Sequence, residues 1–99
     1  MSLEAYRSLL VEKLASGEFS HEPREAMEEK NLLAVGDVSA AIVVKLLRRC
    51  TPQQYATGQH HKLPRVVVHV FRPVDVDGAG WYIKAYFLRG GATFISVHR

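Results

Sequence analysis

The sequence predicts an α+β fold in which N-terminal helices pack on a C-terminal antiparallel sheet of three or more strands. The period of the apolar residues changes once, near residue 62, from helix-like to strand-like. The chain has 99 residues without a visible linker or internal repeat, so a single domain spanning residues 1–99 is expected. Hydrophobic residues make up 47% and charged residues 23%, a composition typical of folded globular proteins.

The first two helices are predicted from apolar spacing and capping residues. Residues 3–15 carry three leucines and a tyrosine at helical spacing, and Gly17 suits the position after the last turn. A second helix is expected from Ser20, because Pro23 in a first turn loses no hydrogen bond and acidic residues lie near the positive end of the helix. This helix is expected to end at Asn31.

A third and a fourth helix are predicted in the middle of the chain. Residues 38–49 contain β-branched side chains, but their length and the basic residues at their end favour a helix, for which Asp37 is the expected N-cap. The sequence Thr51-Pro52-Gln53-Gln54 is a capping box with proline at the first helical position. It predicts a short helix that ends at Gly58.

The remaining residues favour strands. Residues 65–72, 81–88 and 93–98 are rich in β-branched and aromatic side chains. Asp77-Gly78 separates the first two stretches and Arg89-Gly90-Gly91 separates the last two, and both sequences are typical of tight turns. Two consecutive hairpins predict a three-stranded antiparallel meander.

The charge is unevenly distributed and suggests a polyanionic partner. Residues 1–49 contain seven basic and eight acidic side chains, whereas residues 50–99 contain six basic and two acidic ones and four of the five histidines. A positive, histidine-rich half is typical of a surface that binds RNA or another polyanion. The alternative is a solvated basic face without a ligand.

Membrane insertion, export and disulfide bonding are not expected. No apolar run approaches the ~20 residues that a membrane helix needs, so no membrane partner is predicted. The N-terminus shows no basic segment followed by an apolar one, so no export signal is expected. The single cysteine, Cys50, excludes an internal disulfide and fits the reducing cytoplasm.

Strand alternation predicts a partly solvated face that carries polar side chains. On the middle strand, alternate positions from Trp81 are wholly apolar and are expected to face the helices, which leaves Tyr82 and Lys84 on the other side. On the last strand, alternation places Phe94, Ser96 and His98 on one side. Depending on register, strand pairing brings these two residues near either His98 or Arg99 of the last strand and near His69 or Arg72 of the first.

Such a cluster suits RNA cleavage through the 2′-hydroxyl, which needs a base, an acid and cations around the phosphorus. Histidine can act as acid or base near neutral pH, arginine can bind phosphate through two hydrogen bonds, and tyrosine can orient a phosphate or stack on a base. This chemistry requires no metal or cofactor, and none is predicted. The alternative is an ordinary exposed sheet face.

Two other groups of residues have simpler explanations. His60-His61-Lys62 could suggest a metal site, but adjacent histidines in an extended chain point to opposite sides and no metal-ligand spacing is present. A solvated basic loop is expected there. Cys50 follows an apolar helix and is expected to be a small buried side chain and not a nucleophile.

The strand region contains a motif with a family resemblance. Val70-Phe71-Arg72-Pro73 is followed, after a short turn, by Trp81-Tyr82-Ile83-Lys84, and the last strand is Phe94-Ile95-Ser96-Val97-His98-Arg99. An aromatic-Arg-Pro strand end, a Tyr-x-Lys strand and a last strand ending in basic residues resemble the MqsR family of bacterial type II toxins, within the RelE/BrnT-like group of small ribonuclease folds. The order of the predicted helices is also similar.

The resemblance implies a RelE-like toxin fold and an endoribonuclease that cuts messenger RNA and is neutralised by a cognate antitoxin protein. Tyr82 matches the family's catalytic tyrosine and His98 falls at its basic residue on the last strand. Two expected positions differ, because Ala56 stands where the family has a lysine and Val68 where it has a glutamine.

We therefore expect a cytoplasmic toxin ribonuclease that uses neither metal nor cofactor. The expected catalytic residues are Tyr82, His98, Arg72, Lys84 and His69. The expected RNA-binding residues are His60, His61, Lys62, Arg65, Tyr86 and Arg99. The alternative, favoured by the two departures, is a non-catalytic module of the same fold that binds nucleic acid or protein. A homo-oligomer is a further possibility, because an open sheet edge can pair with another chain.

Overall fold

The computed structural model describes residues 2–99 and has the predicted α+β class. These residues form three α-helices, a short 3₁₀-helix and five strands. The helices are α1 (Leu3–Ser16), α2 (Met27–Lys30) and α3 (Ala40–Arg49), and the 3₁₀-helix spans Pro52–Gln54. The strands are β1 (Phe19–His21), β2 (Tyr55–Gln59), β3 (Val67–Phe71), β4 (Tyr82–Leu88) and β5 (Gly91–His98).

The five strands form one mixed sheet in the order β1-β5-β4-β3-β2. Strands β2 to β5 are an antiparallel meander, whereas β1 pairs with β5 in parallel, with Phe19 opposite Ala92. The expectation of a purely antiparallel sheet is therefore wrong. The parallel strand is stabilised by aromatic packing, because the ring of Phe94 lies 5.7 Å from that of Phe19 and 5.9 Å from that of His21.

The second and fourth predicted helices are largely absent from residues 2–99, because strand pairing replaces them. The backbone N–H of Glu22 donates to the carbonyl of Phe94 at 2.9 Å, which extends the β1 pairing where a helix was expected. The capping box at Thr51 is present, but it leads into a single 3₁₀ turn and then into β2. Helix α3 forms as predicted, although Ser39 is its N-cap instead of Asp37.

One cluster of buried side chains joins α1 and α3 to one face of the sheet, which we call the helix side. The helices contribute Leu3, Leu10, Leu14, Val43, Leu46 and Leu47. The sheet and the segments next to it contribute Phe71, Trp81, Ile83, Ala85, Ala92, Phe94 and Val97. The opposite face of β3, β4 and β5 is the open face, and its alternate positions include Tyr82 and Lys84, as the strand alternation predicted.

A β-bulge changes the alternation within β5. Lys84 pairs with Ser96, but the next residue of β4, Ala85, pairs with Phe94, so Ile95 is an extra residue. The bulge allows Phe94 to enter the helix-side core while Ser96 remains on the open face. The expectation that these two side chains share one face, which assumed regular alternation, is therefore wrong.

His69 lies on the helix side, so it cannot join Tyr82 on the open face as expected. It pairs with Ala85, is only 3% exposed, and its ring centroid lies 4.0 Å from that of Tyr6 on α1. Its Nδ1 is 2.7 Å from the hydroxyl of Tyr55. His69 is therefore a buried residue that hydrogen-bonds a partly buried phenol.

We predict that His69 makes the fold sensitive to mild acid. Burial lowers the pKa of His69, so below about 6.5 the unfolded chain takes up a proton that the folded chain does not. The free energy of unfolding should consequently fall between pH 7.5 and pH 5. Denaturant titrations at both pH values should show a smaller fall in the free energy of unfolding for His69→Gln than for the wild type. Burial also lowers the pKa of His21, so part of the pH dependence should remain in the variant. An equal fall in both proteins would contradict the prediction.

Candidate functional site

Three side chains form a row across the open face at one end of the sheet. Tyr82 on β4 pairs directly with His98 on β5, and their ring centroids are 5.3 Å apart with an interplanar angle of 26°. The guanidinium carbon of Arg72, which follows β3, lies 5.4 Å from the centroid of the Tyr82 ring. The structure therefore brings together three of the five residues expected from the sequence, and we call them the Arg72–Tyr82–His98 row.

The hydrogen bonding of His98 leaves one ring nitrogen free to accept a proton. Its Nδ1 lies 2.8 Å from the backbone oxygen of Arg99. A backbone oxygen only accepts, so we assign the proton to Nδ1. The Nε2 atom has no hydrogen-bond partner among residues 2–99, and the side chain is partly exposed. With the proton on Nδ1, a neutral His98 presents Nε2 as an acceptor.

Lys84 occupies the next position on the open face, two residues along β4 from Tyr82. It pairs with Ser96, whose hydroxyl accepts a hydrogen bond from Nη1 of Arg24 at 2.9 Å. Arg24 comes from the loop between β1 and α2, and the same nitrogen lies 3.4 Å from the backbone oxygen of Ile95. This loop therefore adds a second cation to the face near Lys84.

A partly buried carboxylate, a buried imidazole and a buried phenol lie at the other end of the open face. Oε1 of Glu22 accepts a hydrogen bond from Nε2 of His60 at 2.7 Å and one from the hydroxyl of Tyr86 at 3.2 Å. Nδ1 of His60 accepts the backbone N–H groups of Lys62 and Leu63, both at 3.1 Å. These bonds fix the tautomer of His60 and connect the loop after β1 to the loop after β2.

The same bonds involve two of the residues expected to bind RNA. His60 and Tyr86 are only 3% and 6% exposed, and their polar groups are hydrogen-bonded to Glu22. Burial raises the pKa of the Tyr86 phenol, and the charge and hydrogen bond of Glu22 raise it further. Direct contact of these two residues with RNA stays a prediction, because their polar groups are bonded to Glu22 in this structure.

A cleft of about 270 Å³ opens beside this network, between the loop after β1 and the loop after β2. We call it the loop cleft. The residues that line it are Glu22, Pro23, Arg24, His61, Lys62, Lys84 and Ile95. Of the six residues expected to bind RNA, His61 and Lys62 are therefore exposed at the open face.

The last two residues expected to bind RNA lie elsewhere. Arg65 is exposed at the end of the β2–β3 loop, beside Leu63 and Pro64. Arg99 is on the helix side, where its guanidinium carbon lies 4.6 Å from the centroid of the Trp81 ring. Arg99 follows His98 along an extended strand, so its side chain points to the opposite face. Of the two alternative neighbours of Tyr82, the register therefore selects His98 and not Arg99.

The cleft includes residues that the sequence analysis did not select. Residues 22–24 fall within the expected second helix, of which only α2 forms, and Ser96 was expected on the same side as Phe94. Arg24 contacts Ser96 across 72 positions of sequence, and Glu22 contacts Tyr86 across 64. No local pattern in the sequence indicates contacts of this kind.

Residues 2–99 contain no group of three or more His, Cys, Asp and Glu side chains that could hold a metal ion. Cys50 is buried, and burial raises the pKa of its thiol, which opposes formation of a thiolate nucleophile.

Among residues 2–99, no helix is both long and apolar enough to cross a membrane.

Comparison with known proteins adds no assignment. No protein-family model matches the chain, and neither a curated protein nor a solved structure matches it. The resemblance to the MqsR family therefore stays a prediction.

We predict that Glu22→Gln lowers the pKa of Tyr86. The substitution removes the negative charge beside the phenol but keeps an oxygen that can accept both hydrogen bonds. A pH titration of tyrosine carbons labelled with ¹³C, followed by NMR, measures the change. Tyr55 is the internal control. Burial and the nearby Tyr6 on the helix side raise its pKa, and Glu22 does not contribute, so the Tyr55 titration should not change. An unchanged Tyr86 titration would contradict the proposed network.

Proposed function

We propose that this chain is an endoribonuclease that binds RNA on the open face and cleaves it by attack of a 2′-hydroxyl on the adjacent phosphorus. The observation that carries this proposal is the Arg72–Tyr82–His98 row, with a proton-accepting imidazole stacked on a phenol beside a guanidinium. These are the groups that transesterification of RNA needs, and a ligand can approach them from solvent.

In this mechanism Nε2 of His98 accepts the proton of the 2′-hydroxyl as the oxygen attacks phosphorus. The bond between phosphorus and the 5′-oxygen breaks, and the Tyr82 hydroxyl donates its proton to that leaving oxygen. The products are a 2′,3′-cyclic phosphate and a free 5′-hydroxyl. His98 then returns its proton to Tyr82 directly or through water, so no external acid, base or metal is consumed. General acid–base catalysis of this type contributes about 10²–10⁴-fold in rate.

Cations around the row supply the electrostatic part of catalysis. Arg72 can bind two phosphate oxygens through its planar fork, and Lys84 lies at the next position of the same face. Both charges would stabilise the additional negative charge on phosphorus in the transition state. His69, which the sequence included in the catalytic set, takes no part because it lies in the helix-side core.

The resemblance adds the biological setting that we propose. A RelE-like ribonuclease of this size would act on messenger RNA in the cytoplasm as the toxin of a type II toxin–antitoxin pair, and a cognate antitoxin protein would neutralise it. The structure gives a reason for one departure from the MqsR pattern. Val68 is buried against Tyr86 and Ile95, so the position of the family's glutamine serves packing in this chain.

The second candidate function is a non-catalytic module that binds RNA on the same face. The burial of Val68 favours it, because a polar position of the family motif is replaced by an apolar contact. Such a module would bind RNA with a strong salt dependence and leave it intact. Gel-shift and cleavage assays on the same RNA distinguish the two functions.

We predict that Tyr82→Phe and His98→Ala each reduce RNA cleavage, His98→Ala by about 10²–10⁴-fold. Tyr82→Phe keeps the ring beside His98 and removes only the hydroxyl. The measurement is cleavage of end-labelled RNA in the presence of a metal chelator, with mass spectrometry to detect the cyclic phosphate. Tyr6→Phe, a phenol on the helix side, is the matched control and should retain full activity. RNA that stays intact at high protein concentration, with and without ribosomes, refutes the proposal.

We predict that expression of the chain arrests bacterial growth and that the double variant Tyr82→Phe, His98→Ala relieves the arrest. The arrest should also disappear when a small protein encoded by the adjacent reading frame is co-expressed and forms a complex with the chain. Growth curves and co-purification measure both effects. Arrest by the double variant at an equal protein level would show that the row does not cause toxicity.

A further inference from the structure

The loop cleft concentrates positive charge with little compensation. Arg24, Lys62 and Lys84 line it together with the imidazole of His61. The carboxylate that lines it belongs to Glu22, and Oε1 of that carboxylate already accepts hydrogen bonds from two side chains. Like charges in a space of about 270 Å³ repel one another, and a bound anion would relieve this repulsion.

Buried contacts hold the walls of the cleft in place before any ligand binds. His60 lies under the loop after β2, is 3% exposed, and accepts the backbone N–H of Lys62. Arg24 is held by the hydroxyl of Ser96 through Nη1, which leaves its other guanidinium N–H groups to bind a ligand. A site whose residues are already positioned loses less conformational entropy on binding.

The cleft adjoins the row through Lys84. Lys84 lies two residues from Tyr82 on the same face, a separation of roughly 7 Å along a strand, and it also lines the cleft. An extended RNA strand with one phosphate at the row would therefore have a neighbouring phosphate near the cleft. The chemistry of the lining, a guanidinium and two ammonium groups, suits the oxygens of a phosphodiester.

We propose that the loop cleft is a phosphate-binding subsite, which holds a phosphate flanking the one bound at the Arg72–Tyr82–His98 row. The placement of an RNA strand rests on the proposed function, but phosphate binding in the cleft does not require cleavage. The subsite gives the open face at least two phosphate contacts and selects RNA longer than a dinucleotide.

The test uses the full chain and ligands that cannot be cleaved. Backbone amide NMR spectra are recorded during titration with inorganic phosphate and with a 2′-O-methyl trinucleotide, for the wild type, Lys62→Gln and Lys45→Gln. Lys62 is exposed, so its loss should not disturb folding, and Lys45 is an exposed lysine on α3 that provides the charge-matched control. Both ligands should shift the resonances of residues 60–62 in the wild type.

We expect Lys62→Gln to bind the trinucleotide several-fold more weakly, with a salt dependence of log K that is less steep by about 0.7, the value for one lost contact to a single strand. Lys62→Arg should restore binding, and Lys45→Gln should bind like the wild type. Equal binding by Lys62→Gln and the wild type, or absence of shifts at residues 60–62, overturns the subsite. Shifts with inorganic phosphate but none with the trinucleotide also overturn it, because they indicate a site for free phosphate.

The failure of this proposal and that of the ribonuclease proposal are distinguishable. If natural RNA stays intact but the trinucleotide binds through Lys62, the chain has the subsite without the nuclease activity. If RNA is cleaved and Lys62→Gln binds and cleaves like the wild type, the nuclease stands and the subsite is wrong.

Discussion

The bulge in β5 is the constraint on which the open face depends. Ile95 is an extra residue opposite β4, so the alternation of side chains between the two faces of the sheet is interrupted at this residue. Phe94 can therefore fill the helix-side core while Ser96 and His98 stay on the open face. A regular strand would force Phe94 to share a face with His98, because alternate residues of a strand point to the same side. The position of His98 beside Tyr82 is thus coupled to the packing of the core.

The second organising interaction is the buried contact between two loops. The carboxylate of Glu22 comes from the loop after β1, and the imidazole of His60 comes from the loop after β2. The Glu22 carboxylate is partly buried, and it obtains two hydrogen-bond donors at one oxygen. The network therefore joins the two loops, and Arg24 and Lys62, which they carry, line the same cleft.

Together these two interactions place the proposed catalytic groups and the proposed phosphate-binding groups at different ends of the open face. The row supplies an imidazole, a phenol and a guanidinium at one end, and the loop cleft supplies cations at the other, with Lys84 between them. Regular strands provide rigid positions for the row, whereas the cleft depends on loops held by buried bonds. Positioning of this kind matters for a nuclease, because catalytic groups act only within hydrogen-bond reach of the reacting atoms.

The sequence by itself determined the features that local chemistry controls. Gly17 ends α1, the capping box at Thr51 is present, and the strand residues Tyr82 and Lys84 share a face. Only the tertiary structure decided the parallel pairing of β1, the bulge at Ile95, the burial of His60 and the placement of Arg24. The physical reason is distance along the chain. Helix caps and strand alternation depend on residues a few positions apart, whereas these contacts join segments far apart in sequence, and their energies enter only when the chain has folded.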